Sequence, residues 1–314
     1  MKRITLALVA LALIMAVAGC GAPKQTFVNI ASGGTGGTYY PLAGAMANIW
    51  QDAIKGMNAS AQTTGASVAN VNLLREEKAD VIFVQNDIAY YAVNGLEMFK
   101  DKAYAEMRGM ATLYPETCQL IVLSSSGIKS VADLRGKKIA VGAAGSGVEA
   151  NARQIMAAAN ITYADIQPQY LSFNEASSNL KDGNIDAAFI TAGHPTAAVQ
   201  DIAASKGISV VPIGDDLAAK LMSQYPFYTK TSIPAGTYPG VDSSVNTVAV
   251  KAMLAISTKL EAATVEKMLQ SLFDSNDRLS AAHKMGAMVK LATARDGMSL
   301  PLHTGAEKFY GKAK

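Results

Sequence analysis

The stretches LREEKADVIFVQND (residues 74–87) and LKDGNIDAAFITAG (residues 180–193) align without a gap, at a constant offset of 106 residues. Each predicts the end of a helix, a charged turn with an acidic residue, a buried strand (VIFV or AAFI) and then a polar loop. The chain therefore contains one structural unit twice.

A second pair of matching stretches lies upstream of the first pair. FVNIASGGTGGTYYP (residues 27–41) and KKIAVGAAGSGVE (residues 137–149) each run from a short apolar strand through glycines into a helix. Strands that alternate with helices predict a parallel sheet in each half, and ligands bind outside the carboxyl ends of such strands. Both sets of loops should face one cleft.

The repeat predicts two similar α/β domains joined by a hinge. We assign residues 27–115 to the first lobe, 116–228 to the second, and 229–314 to the return crossing and the remainder of the first lobe. The apolar run at residues 118–123 predicts the first crossing, and YPFYTKTSIPAGTYPG (residues 225–240) the return. Two crossings form the kind of hinge that closes such proteins on a ligand.

The N-terminus is typical of a bacterial export signal. Lys2 and Arg3 precede an apolar run, and the sequence VAGC ends at Cys20, which resembles the lipobox of lipoproteins. Residues 1–19 then form the signal peptide and residues 20–26 a tether, with Cys20 carrying the lipid that anchors the exported protein to the membrane. The alternative is an ordinary signal peptide that contains a cysteine.

The composition limits the partners. The chain has 28 basic and 25 acidic residues, and this near balance does not indicate nucleic acid binding. With Cys20 lipidated, Cys118 has no partner for an intramolecular disulfide. We expect a monomer.

Three loops at predicted helix starts are candidates for binding an anion, because free backbone amides at a helix start favour negative charge. The alternative for each loop is a tight turn or an ordinary helix cap without a ligand. Adjacent tyrosines point about 100° apart on a helix, so at most one of the two in the first loop should face the ligand squarely. The candidates in these loops are Gly37, Thr38, Tyr39, Tyr40, Ser67, Asn70, Ser146 and Gly147.

Further candidates follow the strands and the first crossing. Gln85 and Asp87 come at the carboxyl end of VIFV, where Asp87 either binds a ligand ammonium group or caps the next helix. Tyr114 and Glu116 lie at the crossing, either lining the cleft or serving the structure alone. His194 follows the second strand and could donate to a carboxylate.

Catalytic and metal chemistry have little support. The three histidines have no metal-ligand spacing, a GxSxG elbow is missing, and Cys118 lies in an apolar run typical of an inert core thiol. We expect no cofactor and no metal.

The ordered motifs resemble those of the TAXI family, the solute-binding subunits of one branch of the tripartite ATP-independent periplasmic (TRAP) transporters. The resemblance covers essentially the whole mature chain. It is carried by GGTGGTYYPLAGAMAN, GASVANVN, ADVIFVQNDIAYYA, LYPETCQLIV, VADLRGKKIAVGAAGSG, DGNIDAAFITAGHP, IPAGTYPG and LPLHTGAEKFY.

This resemblance implies a two-lobed type II periplasmic-binding-protein fold, no enzymatic activity, and delivery of ligand to TRAP membrane subunits. It also implies a small carboxylate ligand, such as a glutamate-like amino acid or a dicarboxylate. The related dicarboxylate-binding branch clamps its substrate with an arginine, and no arginine could be placed in such a role here. Amides, hydroxyls and tyrosines should bind the carboxylate instead. The rival interpretations are a ligand-binding lipoprotein that feeds a sensor and an enzyme on the same scaffold.

Overall fold

A computed structural model describes residues 25–313. The predicted signal peptide, Cys20 and most of the predicted tether lie outside these residues. Within them, every helix is too short or too polar to cross a membrane.

The first half alternates strands with helices and ends in one long strand. Its elements are β1 (Thr26–Ala31), α1 (Tyr39–Ala53), β2 (Met57–Gln62), α2 (Ser67–Arg75), β3 (Val81–Gln85), α3 (Asn86–Asn94) and β4 (Met107–Leu123).

The second half repeats this order, adds two further strands, and ends in a second long strand. Its elements are β5 (Lys138–Ala140), α4 (Gly147–Ala158), β6 (Gln167–Gln169), α5 (Phe173–Lys181), β7 (Ala187–Ala192), α6 (Ala197–Ser205), β8 (Ile208–Val211), α7 (Asp215–Gln224), β9 (Thr229–Ile233) and β10 (Val245–Ser257). The chain then finishes with α8 (Ala262–Asp274), α9 (Asn276–Ala282) and α10 (Thr304–Lys312).

The ten strands form one continuous hydrogen-bonded sheet with the main order β2-β1-β3-β10-β4-β7-β5-β6. In each half three parallel strands stand in equivalent order, β2-β1-β3 and β6-β5-β7. The antiparallel strands β10 and β4 lie between these triplets. The predicted α/β fold with two similar halves is confirmed.

One pair of acidic residues shows how closely the halves correspond. Asp80 Oδ2 accepts from the backbone N–H of Asn29 on β1 at 2.8 Å, and Asp186 Oδ2 accepts from that of Lys138 on β5, also at 2.8 Å. These are the acidic residues that the alignment of the two stretches predicted in each charged turn. In both lobes the same hydrogen bond therefore ties the turn before one strand, β3 or β7, to the neighbouring strand, β1 or β5.

Each lobe packs helices on both faces of its part of the sheet. In the first lobe α1 and α8 cover one face around Trp50, while α2 and α3 cover the other around Ile88. In the second lobe α4 and α7 cover one face, and α5 and α6 cover the other. Strand β3 alternates its side chains between the two cores, which is why VIFV is apolar at every position.

Strands β4 and β10 make the two crossings between lobes. β4 pairs with β10 up to Thr117 and with β7 from Thr117 onward. The return lies later than we expected, because residues 228–241 pack inside the second lobe. Tyr228 lies in one of its cores and Tyr238 in the other, and Tyr238 donates to Gln119 Oε1 at 2.5 Å.

Candidate functional site

A cavity of about 80 Å³ lies between the lobes, where the loops after the parallel strands meet. A water molecule needs roughly 10–15 Å³ of such volume, so the space suits a small organic molecule. Nine of the predicted site residues line the cavity: Gly37, Thr38, Tyr39, Ser67, Gln85, Tyr114, Glu116, Ser146 and Gly147.

The lobes touch each other around this cavity. Thr38 Oγ1 donates to the carbonyl oxygen of Gly193 at 3.1 Å, and the N–H of Ala69 donates to the carbonyl oxygen of Gly145 at 3.0 Å. A third contact runs from the N–H of Ala198 to the carbonyl oxygen of Gly36 at 3.1 Å. The structure therefore shows the closed arrangement of the two lobes.

Three helices, two from the first lobe and one from the second, point their N-termini at the cavity. Thr38 and Ala66 precede α1 and α2, and neither helix has a side-chain cap. Ser146 precedes α4 and accepts only from the N–H of Glu149, at 3.2 Å. The first amides of a helix have no partner within it, so this end of the cavity offers N–H donors and a positive dipole end to an anion.

An acidic side chain, that of Glu116 on β4, lies in another part of the cavity wall. Its side chain is 2% exposed, and its Oε1 has no hydrogen-bond partner among the described residues. Its Oε2 accepts from Gln85 Nε2 at 3.2 Å. Burial raises the pKa of Glu116 to about 8, against the lowering effect of the nearby Tyr39 and Gln85 side chains, and Asp87 adds a smaller rise.

Three more buried polar atoms in the cavity wall have no partner among residues 25–313: the hydroxyls of Tyr39 and Tyr114, and Gln85 Oε1. Burial, followed by the nearby Glu116, raises the pKa of both tyrosines well above its usual value. Buried polar groups in proteins are nearly always hydrogen-bonded. These four atoms are the candidates for polar contacts to a ligand in the cavity.

Four predicted site residues do not line the cavity. Tyr40 faces outward from α1 with 36% of its surface exposed, as expected for one of two adjacent tyrosines. Asn70 is buried, donates to three backbone carbonyls and accepts from Thr64 Oγ1, so it ties the strand ends together. His194 Nδ1 lies 3.1 Å from Thr117 Oγ1 beside the crossing strand, and burial lowers its pKa.

Asp87 is the fourth and differs most from the prediction. It lies in the first turn of α3, is completely buried, and its Oδ2 accepts from Asn151 Nδ2 at 3.1 Å. Burial raises its pKa to about 7, against the lowering effect of these hydrogen bonds and of nearby backbone amides. The acidic side chain that reaches the cavity is Glu116.

Sequence reasoning missed part of the second lobe's contribution. Ser172 and Phe173 begin α5 and line the cavity, and Phe173 lies 3.3 Å from the position that a Cβ on Gly37 would occupy. The signal was a capping box, in which Ser172 and Glu175 satisfy each other's backbone amides. The other lining residues that we did not predict are Gly33, Gly34, Thr64, Gly65, Ala66, Ala143, Val148, Thr191 and Ala192.

The side chains of the cavity wall are mainly small, hydroxyl-bearing or aromatic. Among the described residues, no lysine, arginine or histidine lines the cavity. Within the same part of the chain, no cluster of three or more His, Cys, Asp or Glu could hold a metal ion. Cys118 is buried, and burial raises the pKa of its thiol to about 12.

Comparison with known proteins gives a family and a fold. A model of the NMT1-like family matches residues 30–312. One relative, named "Putative aliphatic sulfonates-binding protein", from Escherichia coli (strain K12), is 33% identical over 103 residues. That match spans 33% of this chain and 31% of the relative's length.

Solved structures match over most of the chain. The alkanesulfonate-binding protein SsuA from Xanthomonas axonopodis pv. citri bound to MOPS has a TM-score of 0.54 at 15% identity, covering 92% of this chain and 85% of that one. SsuA from Escherichia coli has 0.51 at 17%, covering 93% and 84%. A substrate-binding protein of an ABC uptake transporter from Streptococcus pneumoniae, with bound histidine, has 0.51 at 16%, covering 84% and 94%. The predicted two-lobed fold of periplasmic solute-binding proteins is confirmed.

Proposed function

Since the chain belongs to the NMT1-like family and has the two-lobed fold of periplasmic solute-binding proteins, we propose that it is the exported solute-binding component of a membrane transporter. The observation that carries the proposal is the cavity between the lobes, with three helix N-termini at one side and a buried acidic side chain at another. A ligand that contacts both lobes stabilises their closed arrangement, and closure of the lobes then captures the ligand.

The ligand's acid group lies against the starts of α1, α2 and α4. Thr38, Ser67 and Ser146 add hydroxyl groups there, and the positive ends of three helix dipoles stabilise a negative charge. Because both lobes supply donors, an anion at this point bridges them. An arginine clamp is not required for this kind of recognition, which agrees with the lack of lysine and arginine in the described cavity wall.

The ligand's second polar group is an amine that faces Glu116. A buried carboxylate without a cation is costly, and this is why its pKa rises to about 8. A ligand ammonium group would restore the ionised form and satisfy Glu116 Oε1, and Gln85 Oε1 could accept a second N–H. We therefore propose an amino acid of the glutamate class, with Glu116 in the role that the sequence suggested for Asp87.

A sulfonate is the second candidate for the acid group. Helix N-termini bind sulfonate as readily as carboxylate, and the relatives named above include proteins that bind sulfonates. Both candidate ligands place an amine at Glu116. Taurine, an aminosulfonate, therefore tests which acid group the protein prefers while the amine is kept.

Isothermal titration tests the proposal with glutamate, 2-oxoglutarate and taurine, using wild type, Glu116→Gln and the exposed control Glu106→Gln. Wild type should bind glutamate at least about tenfold more tightly than 2-oxoglutarate, since a charge-assisted hydrogen bond contributes roughly 1.5–3 kcal/mol. Glu116→Gln should lose this preference, and Glu106→Gln should keep it. Equal binding of glutamate and 2-oxoglutarate by wild type would remove the amine from the proposal. Tighter binding of taurine than of glutamate would assign a sulfonate.

For the membrane partner we propose TRAP-type subunits, on the strength of the TAXI-like motifs in the sequence. The solved relatives include a component of an ABC uptake transporter, which is the alternative partner. Transport reconstituted in vesicles distinguishes them, because TRAP-type uptake needs an ion gradient and ABC-type uptake needs ATP. Ligand binding without transport by either system would favour a sensor lipoprotein.

A further inference from the structure

Beneath the cavity, four buried side chains form a continuous hydrogen-bonded row that crosses between the lobes. Asp87 Oδ2 accepts from Asn151 Nδ2 at 3.1 Å, and Asn151 Oδ1 accepts from Gln85 Nε2 at 3.0 Å. Gln85 Nε2 also donates to Glu116 Oε2 at 3.2 Å. All four side chains are 2% exposed or less. Asp87 and Gln85 come from the first lobe, and Asn151 from α4 of the second.

This row determines which atom of Gln85 faces the ligand. An ionised Asp87 can only accept hydrogen bonds, so the amide of Asn151 must turn its N–H₂ group toward it. The same N–H₂ group donates to the hydroxyl of Tyr228 at 2.9 Å, and that hydroxyl donates onward to Gln154 Oε1 at 2.7 Å. Asn151 Oδ1 is then left to accept from Gln85, which commits Gln85 Nε2 and leaves Gln85 Oε1 without a partner beside Gly147, another residue of the cavity wall.

Building on the amine-bearing ligand proposed above, we propose that Asp87 is a positioning residue: acting through Asn151, it holds the acceptor oxygen of Gln85 toward the ligand's amine. Asp87 does not line the cavity. A substitution at Asp87 should therefore change which of two ligands the protein prefers. Neither its size nor its place in the first turn of α3 accounts for such a preference.

Protonation of Asp87 weakens the constraint, because a protonated carboxyl can donate to Asn151 Oδ1 and allow the Asn151 amide to reverse, which leaves Glu116 Oε2 as the remaining acceptor that holds Gln85 Nε2. The titratable groups that face Asp87 are Tyr91 on its own helix, Glu116 and Cys118 on β4, and Tyr228 before β9. None of them is a cation, and burial raises the pKa of Asp87 to about 7. The preference for an amine should therefore weaken as the pH falls through this value.

The experiment measures the ratio of dissociation constants for 2-oxoglutarate and glutamate by isothermal titration at pH 8.5 and pH 6. Asp87→Asn keeps the size of the side chain but supplies both a donor and an acceptor. At pH 8.5 the Asp87→Asn variant should lower this ratio on the order of fivefold, because residues in one hydrogen-bond network usually influence each other's energies by an amount of this size. The wild-type ratio should fall between pH 8.5 and pH 6 by more than that of Asp87→Asn, whose remaining change reports Glu116.

A purely structural role for Asp87 predicts a different result, namely equal weakening of both ligands and an unchanged ratio. That result, or identical pH profiles for wild type and Asp87→Asn, would overturn the inference. If Asp87→Asn does not fold, Asn151→Ala breaks the same row from the other lobe and should lower the ratio in the same way. Glu116→Gln separates the two proposals: if it abolishes the preference while Asp87→Asn leaves it intact, the inference is wrong and the proposed function stands. If Glu116→Gln leaves the preference unchanged, the amine site itself is wrong.

Discussion

Replacing Gly147 with alanine should oppose closure of the lobes without damaging either of them. Gly147 is the first residue of α4 in the second lobe, and a Cβ built on it would lie 1.8 Å from Gln85 Oε1 of the first lobe. Real Cβ atoms do not approach other atoms more closely than 3.0 Å, so Gln85 would have to move by about 1.2 Å. The clash exists only when the lobes are closed.

The free-energy cost of moving Gln85 follows from the hydrogen bonds that its side chain makes. Its Nε2 donates to Glu116 and Asn151 at 3.2 and 3.0 Å, and moving the Gln85 amide away from the new methyl group weakens or breaks these hydrogen bonds. Loss of buried hydrogen bonds, one of them to a carboxyl group, costs about 1–3 kcal/mol. Ligand affinity should therefore fall roughly 5- to 150-fold. The ligand-free protein should be unchanged or slightly more stable, because alanine at a compatible helix position stabilises by about 0.4–1 kcal/mol.

Titration calorimetry gives the dissociation constant, thermal unfolding gives the stability of the ligand-free form, and solution scattering gives the radius of gyration at saturating glutamate. Gly147→Ala should remain more extended than wild type under that condition. Gly44→Ala is the matched control, since Gly44 lies within α1 and a Cβ there would meet nothing within 4 Å. The reasoning is refuted if Gly147→Ala binds ligand as tightly as wild type, or if it unfolds at a clearly lower temperature without ligand while Gly44→Ala does not.

Two further predictions concern the anchor and the buried acids. Cys20→Ser should release the processed protein from membranes into the exported soluble fraction, and a mutant that stays wholly with the membranes after fractionation would contradict the lipoprotein interpretation. Burial raises the pKa of Glu116 to about 8 and that of Asp87 to about 7, so the closed protein binds more protons than the unfolded chain between about pH 4 and pH 8. The melting temperature should therefore fall as the pH rises from 5 to 8.5, and this fall should be much smaller in the double variant Asp87→Asn/Glu116→Gln; a rise in the wild type would contradict the assignment of the two pKa shifts.

The local repeat made the fold predictable. The offset between residues 74–87 and 180–193 placed Asp80 and Asp186 in the same structural position, and both make the same bond to a neighbouring strand. The loops at the ends of parallel strands were also predictable, because strand direction alone decides which edge of the sheet they share. Tyr39, Ser67 and Gly147 could therefore be identified without knowledge of the packing.

The remaining errors depend on contacts that are distant in sequence. Asp87 and Glu116 are both acidic residues close to a strand or crossing, and only the packing of α4 on α3 decides which of them reaches the cavity. Asn151 shows no local signal, since its role exists only where the lobes meet. The return crossing was placed too early because proline, glycine and tyrosine in residues 225–240 suggested a linker. In the structure Tyr238 instead has a partner for its hydroxyl inside the second lobe.

The position of β10 has a consequence for the order in which the chain can fold. β10 is the strand between β3 and β4, yet roughly 120 residues separate it from the end of β4. Most residues of the second lobe lie in this intervening segment, so its native contacts join residues that are closer in sequence than those of the first lobe. Such contacts should form sooner during folding. The first lobe can complete its sheet only after residue 257 has been synthesised. A nascent chain that ends before β10 would carry a largely formed second lobe beside two unpaired strand edges, on β3 and β4, and such edges favour aggregation.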